Sequence, residues 1–133
     1  MKSVSVVLAT LGEKNIFKII KILNESNVNI EIIIVIPSDN YYKVKDLEKI
    51  KNIIIIKTNY YSQTKQRLEG FKVSKNELVL QLDSDIQIKK IFLIEIIDYI
   101  NSKDDKCAVA LHPLIINKDY SIISFLYRKI LDF

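Results

Sequence analysis

Four stretches of this chain are apolar almost without polar alternation: Ser3–Thr10, Ile30–Ile36, Ile53–Lys57 and Glu77–Leu82. A strand with one wet face alternates apolar and polar residues, so losing that alternation marks strands covered by helices on both sides. The runs are strand-length, whereas buried helices run longer. Helical spacing fills the gaps. Ile16, Phe17, Ile20 and Leu23 share a face within Glu13–Glu25, with the acidic Glu13 placed in the first turn, where the helix dipole favours it. Ser62 is an N-cap for a helix running to about Ser74, with Leu68 and Phe71 inward. Lys90–Ser102 forms a helix burying Phe92, Leu93, Ile96, Ile97 and Ile100. Strands alternating with helices predict βαβ units with right-handed crossovers, hence an α/β fold around a mainly parallel sheet. A short helix is expected over Tyr42–Lys49, a fifth strand over Cys107–Leu111, and an apolar tail helix over 120–133.

At 133 residues the chain is expected to form one domain with a real core. Two glycines and two prolines argue against disorder and against a turn-rich β sandwich. The single cysteine, Cys107, excludes an internal disulfide framework and suits a reducing compartment. The net charge of +4 comes from scattered lysines, neither clustered nor interleaved with aromatics, which disfavours nucleic-acid binding. Met1-Lys2 leads straight into the first strand with no apolar leader, and no run approaches the ~20 residues of a spanning helix. A cytoplasmic protein is expected, peripheral to the membrane if its tail adheres there.

The fourth run ends in Asp83-Ser84-Asp85. In open α/β sheets ligands sit outside the carboxyl ends of the strands, where this D-x-D would lie. The two carboxylates repel each other and have no cationic neighbour in sequence. A divalent cation would satisfy them; Mg²⁺ typically takes one or two carboxylates plus substrate phosphates. A bare D-x-D is equally a solvated acidic turn, so the surroundings matter. The same edge should carry Thr10, the turn Pro37–Asn40, and the start of the Ser62 helix with Gln63, Gln66 and Arg67. Helix N-termini bind anions and arginine forks onto phosphate, so the set suits a phosphorylated ligand with a metal. His112, before Pro113, reads as a strand-end residue rather than a ligand.

The runs Ser3–Thr10, Glu31–Val35, Gln66–Phe71 and Leu80–Asp85, in that order, resemble successive landmarks of the family 2 glycosyltransferases, of GT-A fold. The match extends to about His112. The resemblance implies a Rossmann-like three-layer sandwich, here in shortened form, comprising the donor-binding half. It implies a nucleotide diphosphate sugar as donor and Mg²⁺ or Mn²⁺ as cofactor. The metal role falls chiefly on Asp85, with Asp83 nearer the ribose and metal. Thr10 would contact the nucleotide, and Gln63 and Arg67 would face the donor. The implied reaction is transfer of the sugar to an acceptor hydroxyl, with cell-surface polysaccharide as the product class.

Two departures stand out. The family commonly has an acidic pair just after strand two that recognises the base; this chain has Ile36-Pro37, with Asp39 as a substitute slightly later. The family's acceptor half and catalytic base lie well beyond the D-x-D, and no motif places a base on Asp119 or Asp132. The catalytic residue is therefore unassigned, and a non-catalytic donor-binding module is the alternative. An aspartyl phosphotransferase is disfavoured, because such enzymes place D-x-D after the first strand with Thr or Gly soon after, not Ile86-Gln87-Ile88 after the fourth. The apolar helix expected over Tyr120–Phe133 would meet a membrane surface or a partner protein.

Overall fold

The expected alternation of strands and helices is present. The computed structural model describes residues 3–103 throughout, and the backbone of 108–111 and 124–128. In chain order the elements are β1 (Ser3–Ala9), α1 (Asn15–Asn24), β2 (Asn29–Pro37), two 3-10 helices (Ser38–Lys43 and Lys45–Lys49), β3 (Ile53–Thr58), α2 (Gln63–Val73), β4 (Leu78–Asp83), α3 (Phe92–Asn101), β5 (Ala108–Leu111) and β6 (Ser124–Arg128). The sheet order is β3-β2-β1-β4-β6-β5. β3, β2, β1 and β4 are mutually parallel, whereas β6 runs antiparallel to both β4 and β5.

Strand period decides which helix covers which face. Val4, Val6 and Leu8 of β1 point one way, with Ile32, Ile34, Leu80 and Leu82, into a core shared with Ile16, Ile20 and Leu23 of α1 and Leu93, Ile97 and Ile100 of α3. Val7, Ile33, Val35 and Val79 point the other way, with Phe71 of α2 packed against them. The result is three layers. The path β1→β2 steps one way along the sheet and β3→β4 steps back, so crossovers of one hand must put α1 and α2 on opposite faces.

α2 lies unusually close to the sheet. Its buried residues are Gln66 and Gly70, not large apolar ones. A Cβ on Gly70 would collide with Val7 Cγ1. The absent side chain is what lets the helix backbone approach β1 and β2. Ser62 caps α2 as expected, its hydroxyl accepting from Lys65 N at 3.4 Å.

Several expectations are corrected. Phe17 and Leu68 are exposed; Ile19 takes the place assigned to Phe17 in the core, and Gly70 occupies the approach expected of Leu68. Tyr42–Lys49 is not an α-helix. Two 3-10 turns meet at Val44, which leaves helical geometry at φ −121° and ψ 1°, and Val44 and Leu47 anchor the stretch at the three-residue spacing of that helix. Glu13 precedes α1 instead of lying in its first turn. Within the tail expected to be helical, Ser124–Arg128 is a strand. It pairs Leu126 with Leu80 and Val109, so an aromatic and β-favouring run satisfies the open edge of β4 by backbone pairing. Residues 120–123 and 129–133 lie outside the described residues, as do Cys107, His112, Asp119 and Asp132. No helix among the described residues is long and apolar enough to cross a membrane.

Candidate functional site

The order 3-2-1-4 reverses direction between β1 and β4, which is where open α/β sheets bind ligands. Ala9 and Asp83 are register partners at that point. The ends of β2 and β3 meet beside them, Pro37 opposite Thr58. Thr10, Asp39, Gln63, Arg67 and the D-x-D therefore do share one edge.

Period two sends Asp83 and Ser84 to opposite faces. Asp83 continues the Val79, Gln81 series on the α2 face. Arg67 donates from Nη2 to Asp83 Oδ1 at 2.8 Å, with both side chains about one-quarter exposed. The buried Gln81 amide, oriented by its hydrogen bonds, accepts from Arg67 Nε at 2.9 Å and from Nη2 at 3.3 Å. Arg67 thus spans two residues of β4, and the cation that Asp83 lacks in sequence is supplied through space. Asp83 Oδ2 has no partner among the described residues. Asp85, just past the strand end, is exposed and likewise has none.

Ser84 turns to the opposite face and is buried. Its hydroxyl donates to Glu13 Oε2 at 2.6 Å. The Thr10 hydroxyl donates to the same oxygen, and Gly12 N donates to Thr10 Oγ1 at 2.9 Å. Gly12 has φ +88°, a left-handed turn that glycine favours. Burial alone would raise the Glu13 carboxyl; hydrogen bonds from Ser84, Thr10 and the backbone amides of Glu13 and Leu11 outweigh it and hold the pKa below the ordinary value. Most of Glu13 remains exposed, and only its carboxylate end is drawn in. Asn15, the first residue of α1, donates through Nδ2 to Ser84 O at 3.0 Å and Ile86 O at 2.7 Å. Thr10 was expected at the nucleotide, but its side chain is buried inside this clasp.

The segment after β1 is also held from the 3-10 helix that follows β2: Leu11 O accepts from Asn40 Nδ2 at 2.9 Å and from Lys43 Nζ at 3.3 Å. Asp39 is exposed and accepts from Tyr61 Oη at 2.9 Å. That hydrogen bond, with desolvation and the Asp39 charge, raises the phenol pKa. Gln63 is exposed at the first position of α2. Gln66 is fully buried; its Nε2 makes a long 3.4 Å contact to Thr58 Oγ1, and its Oε1 has no partner among the described residues. Sequence reasoning passed over Gln81, Glu13, Asn15, Ser84 and Tyr61 as site residues. The polar Gln81 inside a buried strand was a readable signal; the others gave none.

A resident metal does not fit the protein groups alone, since the described residues contain no cluster of three or more His, Cys, Asp or Glu able to hold one. A metal that arrives with a diphosphate does fit. The Asp85 carboxylate and Asp83 Oδ2, each without a partner among the described residues, would leave its remaining positions to phosphate oxygens and water.

The family model described as glycosyl transferase family 2 matches residues 5–126. A search of curated proteins found no match. Among solved structures, S. aureus TarS residues 1–349 aligns with a TM-score of 0.61 at 22% identity, covering 77% of this chain and 33% of that one. The same protein in complex with UDP-GlcNAc gives 0.62 at 23%, covering 77% and 32%. The chain thus spans about a third of those structures. 4-diphosphocytidyl-2C-methyl-D-erythritol synthase from Anaerococcus prevotii aligns with a TM-score of 0.68 at 20% identity, covering 96% of this chain and 70% of that one. These likenesses are of fold.

Proposed function

The chain belongs to glycosyl transferase family 2, and from that premise we propose that it binds a nucleotide diphosphate sugar at the shared carboxyl edge of β1 and β4, for transfer of the sugar to an acceptor hydroxyl. The observation that carries the reading is the convergence of Arg67, Asp83 and Asp85 at the point where strand order reverses. The UDP-GlcNAc complex of a structural neighbour supports the donor class.

In this reading the residues divide the donor among them. Asp85 offers an exposed carboxylate, and Asp83 its free Oδ2, to a divalent ion accompanying the diphosphate. Mg²⁺ or Mn²⁺ would supply Lewis-acid stabilisation of charge on the departing diphosphate. Arg67 keeps N–H groups beyond those used on Gln81 and Asp83, and these face the donor phosphates. Gln63 stands at the α2 N-terminus, where backbone amides favour anionic groups. Asp39, held by Tyr61, is the acceptor available for a base N–H. Thr10 contributes by shaping the strand end, not by offering its hydroxyl.

A second reading is donor binding without transfer. Of the carboxylates at this edge, Glu13, Asp39 and Asp83 are engaged, and Asp85 is assigned to the metal. The described residues therefore leave no base for the acceptor hydroxyl, as inversion would require.

Titration calorimetry with a panel of nucleoside diphosphates, with Mg²⁺ or Mn²⁺ and with EDTA, tests the binding claim. Asp85→Ala should abolish metal-dependent binding and Asp83→Ala should weaken it. Equal, metal-independent binding by all three proteins would sink the site. Donor turnover over an acceptor panel then separates transferase from binding module.

A further inference from the structure

Asp85 is held in place by no side-chain contact of its own among the described residues, yet a carboxylate that captures a metal must be aimed. The groups that could aim it lie on either side in the chain. Ser84 is fixed at both ends: its hydroxyl to Glu13 Oε2 at 2.6 Å and its carbonyl to Asn15 Nδ2 at 3.0 Å. The Ile86 carbonyl is fixed to the same Asn15 at 2.7 Å, and Ile86 is buried. The carbonyls of the residues on either side of Asp85 are thereby tied to the start of α1. Glu13 also anchors the β1 end through Thr10, so one carboxylate spans the strand-order reversal.

We propose that Glu13 and Asn15 are positioning residues for Asp85, acting through Ser84 and Ile86, and that neither touches donor or metal. Glu13 Oε2 already accepts two hydroxyl protons, which leaves that oxygen poorly suited to serve as a metal ligand or a base. The inference rests on the donor-binding reading, and the metal-dependent affinity is where the two meet. Groups that orient metal ligands typically cost 10–100-fold in metal affinity when removed.

Two readouts test it. The first uses the protein without ligand. Cleavage within residues 85–88 by a broad-specificity protease should quicken by about tenfold in Ser84→Ala and in Asn15→Ala, while β1 and β2 stay resistant. Unchanged cleavage there overturns the clasp itself. The second is calorimetry with Mn²⁺ and whichever nucleoside diphosphate binds the parent chain tightest. Glu13→Gln and Ser84→Ala should each weaken metal-dependent binding by roughly 10-fold or more. The double variant should lose little beyond either single one, because both cut the same link. Fully additive losses, or equal losses with and without Mn²⁺, would show a general structural role and overturn the proposal. If Asp85→Asn binds as the parent does, the donor-binding reading fails instead, and the cleavage experiment still decides whether the turn is clasped.

Discussion

The Arg67 guanidinium donates to Asp83 Oδ1 across 2.8 Å, so the first D-x-D carboxylate is partnered by a residue of α2 sixteen positions earlier in the chain. Asp83 and Asp85 are thereby unequal: one is partly neutralised and fixed, the other bare. Under the proposed donor-binding reading, that inequality should make the edge a weaker site for a free cation than for a cation already carrying phosphate.

Arg67→Met tests this. Removing the guanidinium leaves Asp83 charged and unpaired, so Mn²⁺ alone should bind about fivefold more tightly, the equivalent of the ~1 kcal/mol typical of a partly exposed pair. Nucleoside diphosphate binding should fall, because its phosphates lose a cation. Isothermal titration with each ligand separately reads the two opposite changes. A fall in both would mean that Arg67 acts only by holding the fold.

Gly70 sets how close Arg67 comes. In Gly70→Ala the new methyl meets Val7 Cγ1, a stiff and fully buried side chain. The helix gain of ~1 kcal/mol should be outweighed, for a net loss of about 1–2 kcal/mol in denaturant unfolding. Val7→Ala combined with Gly70→Ala should lose less than the two single losses added, since Val7→Ala removes the obstructing methyl. A single Gly70→Ala variant more stable than the parent would show that α2 is free to lift without cost.

The sheet was readable because its cause is local. Runs such as Ile30–Ile36 have no polar face, so helices must cover both sides, and the helix positions follow. What failed to show was any pairing between distant residues. Nothing in Glu13 announces Ser84, or in Arg67 announces Gln81. Phe17 and Leu68 were misplaced because helical spacing finds an apolar face without saying which residue at its margin meets the sheet. Gly70, a poor helix former in a polar helix, marked the true contact. The tail was misread because Ser124–Arg128 has apolar residues in sequence on both faces, a pattern that a buried strand and a buried helix share.

The Glu13 clasp should give stability a pH dependence. Its folded pKa is lowered from 4.5, so its contribution is present above the unfolded value and is lost as pH falls through the folded one. Glu13→Gln should therefore melt below the parent at pH 7, and the gap should narrow below about pH 4.5. Glu25, also lowered through its bond to Lys90, is common to both proteins and cancels in the difference. Thermal melts of the pair at pH 7 and pH 3.5 decide; a gap that widens in acid contradicts the assignment.

The final prediction concerns β6. With Ser124–Arg128 in place, the Leu78–Gln81 edge of β4 is paired along its length. β4 is an interior strand whose residues from Leu78 to Leu82 are buried and uncharged, so no charge guards that stretch of edge. Bare apolar edges template association with other chains. A chain ending at residue 119 should therefore scatter more light than the parent, not less. Leu126→Pro, which puts proline in a strand paired on both sides, should do the same in the full chain, at a cost of ~3 kcal/mol or more. A tail that acted as an exposed apolar helix predicts the reverse, a cleaner monomer on removal. Static light scattering of the three proteins at matched concentration separates the two, and improved monodispersity on truncation would reject the role of β6 as the cover of β4.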